Sequence, residues 1–176
     1  MDKPLFANTQ IDLASLPRVA DVDWSSLERA YLRVQMFSLY IFRLLILGIF
    51  VFSATVMGDM QLWLLGVISG GWILLLLLST YIVYRGFRIK GYAVRQHDLM
   101  YRSGLLFRKT TVIPYSRIQH SEVHQGVIER QFGLARLAIY TAGGSQSDLT
   151  IPGLTKERAE QMRTFVSEKV ASDEEE

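Results

Sequence analysis

The chain has 176 residues, the length of one modest domain, of which 49% are hydrophobic and 20% charged. It contains no cysteine, which excludes disulfides, thiol nucleophiles, iron–sulfur clusters and Cys-type zinc sites. The net charge of +2 hides an uneven layout: Arg85 to Arg136 holds ten Lys/Arg against three Asp/Glu, the first 37 residues hold four against five, and the last four residues are all acidic.

Residues 1–22 are polar, interrupted by Pro4 and Pro17, and have no basic segment leading into an apolar core. They read as a flexible cytoplasmic N-terminus rather than a signal peptide. Ser25 and Glu28 then have capping-box spacing. Trp24, Leu27, Tyr31 and Val34 recur on one helical face. This predicts a juxtamembrane helix that lies at the interface or runs straight into the apolar stretch after it.

Two long apolar runs come next. The first is Leu44 to Met57, extended backwards by Ser38 to Phe42, and the second is Met60 to Tyr84. About 20 apolar residues cover a bilayer's hydrocarbon core, and both runs reach that length. Only Gly58 and Asp59 lie clearly between them, so the pair reads as a transmembrane helical hairpin. Arg43 sits one turn inside the first span and is expected to snorkel outward. Gly48 on the first span, with Gly66 and Gly70 on the second, are small residues that allow close helix packing, within the hairpin or between chains. Neither span carries Asp, Glu, His, Asn or Gln in its middle, which suits an anchor better than a pore or an ion-coupled transporter.

Arg29, Arg33 and Arg43 precede the first span. Arg85, Arg88, Lys90 and Arg95 follow the second, while the tip has no Lys or Arg. This bias predicts both termini on the cytoplasmic side of the plasma (inner) membrane.

From Arg88 the texture changes to short runs of β-branched and aromatic residues between turn signals. Strands are expected at Phe87 to Arg95, Leu99 to Ser103, Lys109 to Pro114, Arg117 to Val123 and Leu134 to Thr141. A further strand is expected from Asp148 to Ile151. Gln125 to Phe132 reads as a short helical turn closed by a left-handed Gly133. Ala142-Gly143-Gly144-Ser145 reads as a hairpin turn. Thr155 is expected to cap a final helix through about Ala171, whose apolar face is Ala159, Met162, Phe165 and Val166. So small a sheet must curl, and the natural solution is a partly open barrel plugged by that helix. The domain plan is then 1–22 flexible, 23–86 juxtamembrane helix and hairpin, 87–171 sheet domain, and 172–176 acidic tail.

No constellation carries convincing chemistry. On a strand His120, Glu122 and His124 would share one face as a three-ligand metal set, but a solvated polar face explains them more simply. Gly143-Gly144-Ser145 lacks nucleophile-elbow spacing, and no phosphate-loop motif is present. No catalytic, cofactor or metal residues are assigned. Arg102, Arg108 and Lys109 are candidate contacts to anionic lipid, the nearest polyanion. Nucleic acid is not expected as a partner, because Tyr92 and Tyr101 are the only clear stacking candidates on the strands.

Val112-Ile113-Pro114-Tyr115-Ser116-Arg117-Ile118-Gln119-His120, then Arg130-Gln131-Phe132-Gly133-Leu134-Ala135, Tyr140-Thr141-Ala142-Gly143-Gly144 and Ile151-Pro152-Gly153-Leu154 form a distinctive order. It resembles the bacterial membrane-anchored pleckstrin-homology-like family, the second class of bacterial PH-like domains, over roughly residues 87–170. The resemblance implies two antiparallel sheets forming a PH-like barrel with a C-terminal capping helix, and no enzymatic activity. It implies an interaction module assembling with itself or with a larger membrane protein carrying several such domains; lipid sensing or lipid handling is the alternative. Arg117, Gln119, Gln125 and Arg130 are the matching polar residues, expected either to hold the fold as a buried network or to form a partner surface. Arg130 is expected to bond carbonyls or to pair with Glu122 or Glu129. The short, non-basic loop Gln96-His97-Asp98 argues against phosphoinositide recognition.

Overall fold

The computed structural model describes residues 22–57, 62–142 and 147–174. The expected tip at Gly58-Asp59 with residues 60–61, residues 143–146 of the expected hairpin turn, the N-terminal residues 1–21 and the final two acidic residues lie outside the described part. In chain order the elements are β1 (Ser25–Ser26), α1 (Arg29–Met57), α2 (Leu62–Ile89), β2 (Gly91–Val94), β3 (Asp98–Ser103) and β4 (Lys109–Pro114). They continue with a 3-10 turn (Tyr115–Arg117), β5 (Ile118–His124), α3 (Val127–Gln131), β6 (Leu134–Thr141), β7 (Leu149–Thr155) and α4 (Lys156–Glu174).

Both long helices are long and apolar enough to cross a membrane, and none of either apolar window is buried inside the molecule. A core helix of a soluble protein would hide that surface against its own chain; here it is left uncovered, as membrane-spanning helices leave it. The helices run antiparallel, with Tyr40 Oη 3.4 Å from Thr80 Oγ1. Arg43 does not simply snorkel: its guanidinium lies over the Trp72 ring of α2, 5.5 Å from the centroid. Gly48, Gly66 and Gly70 do not bring the spans together, since a Cβ at any of them would meet nothing within 4 Å.

Four strands form one antiparallel sheet in the order β1-β2-β3-β4, and three form a second in the order β5-β6-β7. The capping-box reading of residues 25–28 fails. Ser25 and Ser26 extend and pair with Tyr92 and Gly91 of β2, and the helix starts only at Arg29. Backbone pairing to an existing sheet edge outweighs a local capping preference. The strand expected from Phe87 is also shortened, because α2 continues through Ile89.

Bulges shape the second sheet. Ile118 pairs with Thr141 but His120 with Tyr140, leaving Gln119 as the extra residue on β5. On the other side Ala135 pairs with Leu154 and Leu137 with Ile151, so Pro152 and Gly153 together oppose Arg136. Pro152 is tolerated inside a strand because β7 is an edge.

The core lies between the sheets and under α4. Leu99, Leu137, Ile139 and Ile151 are fully buried, as is Ala159 of α4; Met162 and Val166 bury beside it. Thr155 Oγ1 accepts the Arg158 N–H at 3.1 Å, as a helix cap should. Phe165 meets Tyr115 edge-to-face at 5.9 Å. Leu27, upstream of both spans, belongs to the same core at 4% exposure.

Two core tyrosines make the fold alkali-sensitive. Burial pushes the Tyr101 and Tyr115 hydroxyls up to about 12; the phenol of Tyr31 adds to the first and the Asp98 carboxylate to the second. Tyr115 also donates its hydroxyl to Arg95 O at 2.9 Å. With the folded pKa above the unfolded value of 10.0, the stabilisation is complete below pH 10 and is lost as pH rises towards 12. Denaturant midpoints in detergent are therefore expected to hold from pH 8 to pH 10 and fall above it. Tyr115→Phe should have a lower midpoint at pH 8 and a shallower alkaline decline.

Candidate functional site

The base of α1 is built into the sheet domain. The Glu28 N–H donates to Gly153 O at 3.0 Å. Tyr31 packs its ring on the bare Cα of Gly153, whose left-handed φ of 66° and close neighbour both exclude a side chain. The domain is thus held against the spans by β1, Leu27 and Tyr31, not hung from a linker.

Where spans and sheets meet there is a crevice of about 1020 Å³. Leu39 and Phe42 of α1 and Val83 of α2 line its apolar side, with Val127 and Ile128 of α3 opposite. Lys90, Gln35, Ser38 and Ser103 supply polar groups. Burial pushes the Lys90 ammonium pKa down, and its Nζ sits 5.3 Å from the Tyr31 ring centroid. Gln35 Oε1 is buried without a hydrogen-bond partner. An apolar wall that turns into an ammonium donor and a free amide acceptor suits an amphiphile.

The back of the crevice is held by one carboxylate. Glu129 Oε2 accepts from Gly126 N at 2.8 Å, Arg136 Nη2 at 2.9 Å and Arg136 Nε at 3.2 Å. Glu129 is the buried charged residue among those described, at 6% exposure. Arg130, expected to bond carbonyls or to pair with Glu122 or Glu129, is exposed, and it is Arg136 from β6 that pairs with Glu129. The available signal was Arg136 itself, the single charge within the β6 run.

The other singled-out residues are dispersed. Gln125 Nε2 donates to Leu134 O at 2.8 Å, tying the entry of α3 to β6. Arg117 lies in the 3-10 turn and Gln119 in the bulge; both are exposed and line a shallow pocket with Thr141. No buried network joins these two to Gln125 and Arg130. Arg102 is half-buried with its guanidinium 4.5 Å from the Trp24 ring centroid, while Arg108 and Lys109 are exposed. On β5, Glu122 Oε2 lies 2.9 Å from His124 Nε2 and accepts from Tyr140 Oη at 3.2 Å. His120 Nε2 lies 3.8 Å from Glu122 Oε1, and its ring stacks on Tyr140 at 4.3 Å. Among the described residues no three His, Cys, Asp or Glu side chains are placed to hold a metal ion.

Comparison with known proteins fits this architecture. The profile described as bacterial PH domain matches residues 40–170. The Bacillus subtilis (strain 168) protein named UPF0699 transmembrane protein YdbS is 28% identical over 106 residues, which is 60% of this chain and 65% of that protein. The match therefore spans just under two thirds of that relative. No solved structure matches the chain. With two lipid-facing helices joined to two antiparallel sheets and a capping α4, and with the family profile covering most of its length, the chain belongs to the bacterial PH domain family as a membrane protein.

Proposed function

We propose that the protein is a non-enzymatic interaction module that holds a PH-like domain at the cytoplasmic face of the plasma membrane and assembles there with itself or with a larger membrane protein carrying related domains. The observation that carries this reading is the rigid join of α1 to the domain through Leu27, Glu28 and Tyr31. A domain fixed in orientation over the bilayer presents the same surface to every partner diffusing in that plane. Confinement to the membrane also raises effective concentration. The basic flanks Arg29, Arg33, Arg85, Arg88 and Lys90 support cytoplasmic termini. Open space beside Gly66 and Gly70 leaves room for a partner helix.

Handling of an anionic lipid is the second reading, favoured by Lys90 and Gln35 in the crevice. One preparation serves both. Extracted from native membranes in lipid–polymer discs and crosslinked, the protein is expected in a complex with a second copy or a larger membrane protein. A lone monomer with no crosslinked membrane protein would overturn assembly. Stoichiometric phospholipid retained on that monomer, and lost in Lys90→Glu, would establish the second reading in its place.

A further inference from the structure

The loop between β3 and β4 is built against the usual rule for a soluble turn. Among the described residues, Phe107 at 89% and Leu106 at 83% are the most exposed large apolar side chains in the protein. They are not loosely held. Gly104 turns left-handed at φ 94°, and a Cβ there would strike the Phe107 carbonyl. The chain is therefore folded back tightly on itself, with Leu106 and Phe107 at its tip. Arg108 and Lys109 follow directly, both exposed.

The strand register fixes where this tip lies. α2 ends at Ile89 and β2 begins at Gly91, running away from the spans. β3 runs back, pairing Arg102 with Gly91, and its next residue, Ser103, lines the junction crevice with Val83 and Phe42 of the spans. The hairpin tip therefore sits on the side of the sheet from which the spans depart. A second apolar point lies across the crevice: Val127 of α3 is 81% exposed and Ile128 36%, and both line the crevice with Leu39 and Phe42 of α1.

We propose that Leu106 and Phe107, with Val127 and Ile128 as a second foot, seat in the interfacial layer of the same leaflet that the spans enter, with Arg108 and Lys109 on anionic headgroups. The occupant is the bilayer because the protein's own helices put it there. An apolar tip followed by two cations matches the chemistry of an interfacial anchor, which buries its apolar side chains about 5–10 Å into the headgroup and acyl boundary. The inference is independent of whether the module assembles with a partner.

The absence of cysteine makes the test direct. Phe107→Cys, Val127→Cys and Glu168→Cys of the full chain are each labelled with an environment-sensitive fluorophore and reconstituted in phosphatidylglycerol–phosphatidylcholine vesicles. Glu168 is the aqueous control, three residues beyond Phe165, which packs on Tyr115 at the far end of the first sheet. Blue-shifted emission is expected at 107 and 127, quenched several-fold more than at 168 by lipids carrying a nitroxide near the headgroup. The shift at 107 should shrink when Arg108 and Lys109 are both changed to Ser, or when phosphatidylglycerol is omitted. Water-like emission at 107 and 127 would overturn the proposal. So would blue-shifted emission that lipid nitroxides do not quench, since that means a second copy covers the loop.

Discussion

Gly153→Ala is expected to lower stability by about 2–5 kcal/mol, combining about 1–2 kcal/mol for a side chain in the left-handed region with about 1–3 kcal/mol for overpacking. The added methyl would lie 2.5 to 2.8 Å from three carbons of Tyr31, and a Cβ does not approach other carbons that closely. Tyr31 cannot swing aside freely, because it stands on the first turns of α1 with Glu28 N bonded to Gly153 O. Relief must come from moving the helix off the domain. Gly133→Ala is the matched control: it shares the φ of 66° but has nothing within 4 Å, so only the backbone term of about 1–2 kcal/mol applies. Thermal unfolding of both variants in one detergent, with limited proteolysis near residues 26–31, measures the difference. Equal losses would mean that the contact between Tyr31 and Gly153 does not join the spans to the domain.

This join is where sequence reasoning was weakest, for a physical reason. The spans were legible because lipid imposes a length and an apolar composition that no tertiary contact can override. Strands Lys109–Pro114 and Leu134–Thr141 fall where their patterns put them, since each is long enough for its own alternation or apolar run to settle the matter. Ser25–Ser26 is only two residues, and its strand state exists because Gly91 and Tyr92 offer an unpaired edge. No local window contains that information. Trp24 to Val34 did show a buried face, and Leu27 and Val34 are indeed buried. What the pattern could not say is that Leu27 packs into a core made of residues more than 60 positions later.

The crevice and the two apolar points depend on the same kind of long-range placement. Leu106 and Phe107 fall between the strands expected at Leu99 to Ser103 and Lys109 to Pro114, where no local pattern says what they face. They become notable only when register places the turn beside the spans. Gln119 is a similar case: alternation puts it on one strand face with Arg117, but Arg117 lies in the 3-10 turn before β5 and Gln119 is the extra residue of the bulge.

Arg136→Ala should be the most costly charge deletion, at about 2–4 kcal/mol. Removing one partner of a fully buried ion pair costs about 3–5 kcal/mol; here the arginine side chain is 45% exposed, so solvent screens part of the effect. What remains is a carboxylate, 8% exposed, with a single backbone donor at Gly126. Glu129→Gln should cost less, about 1 kcal/mol, because an amide oxygen still accepts from Gly126 N without leaving an uncompensated charge. Arg136→Lys falls between, keeping the charge but losing the two-pronged contact from Nε and Nη2 to Oε2. In the double variant Arg136→Ala with Glu129→Gln, the losses should be less than additive, since the charge that made the first change costly is gone. Denaturant unfolding of the four proteins gives the order. If Glu129→Gln were as damaging as Arg136→Ala, the ion pair would not be what holds α3 in place. Because α3 carries Val127 and Ile128, Arg136→Ala should also weaken lipid quenching at a labelled position 127 while leaving position 107 unchanged, which separates a displaced foot from general unfolding.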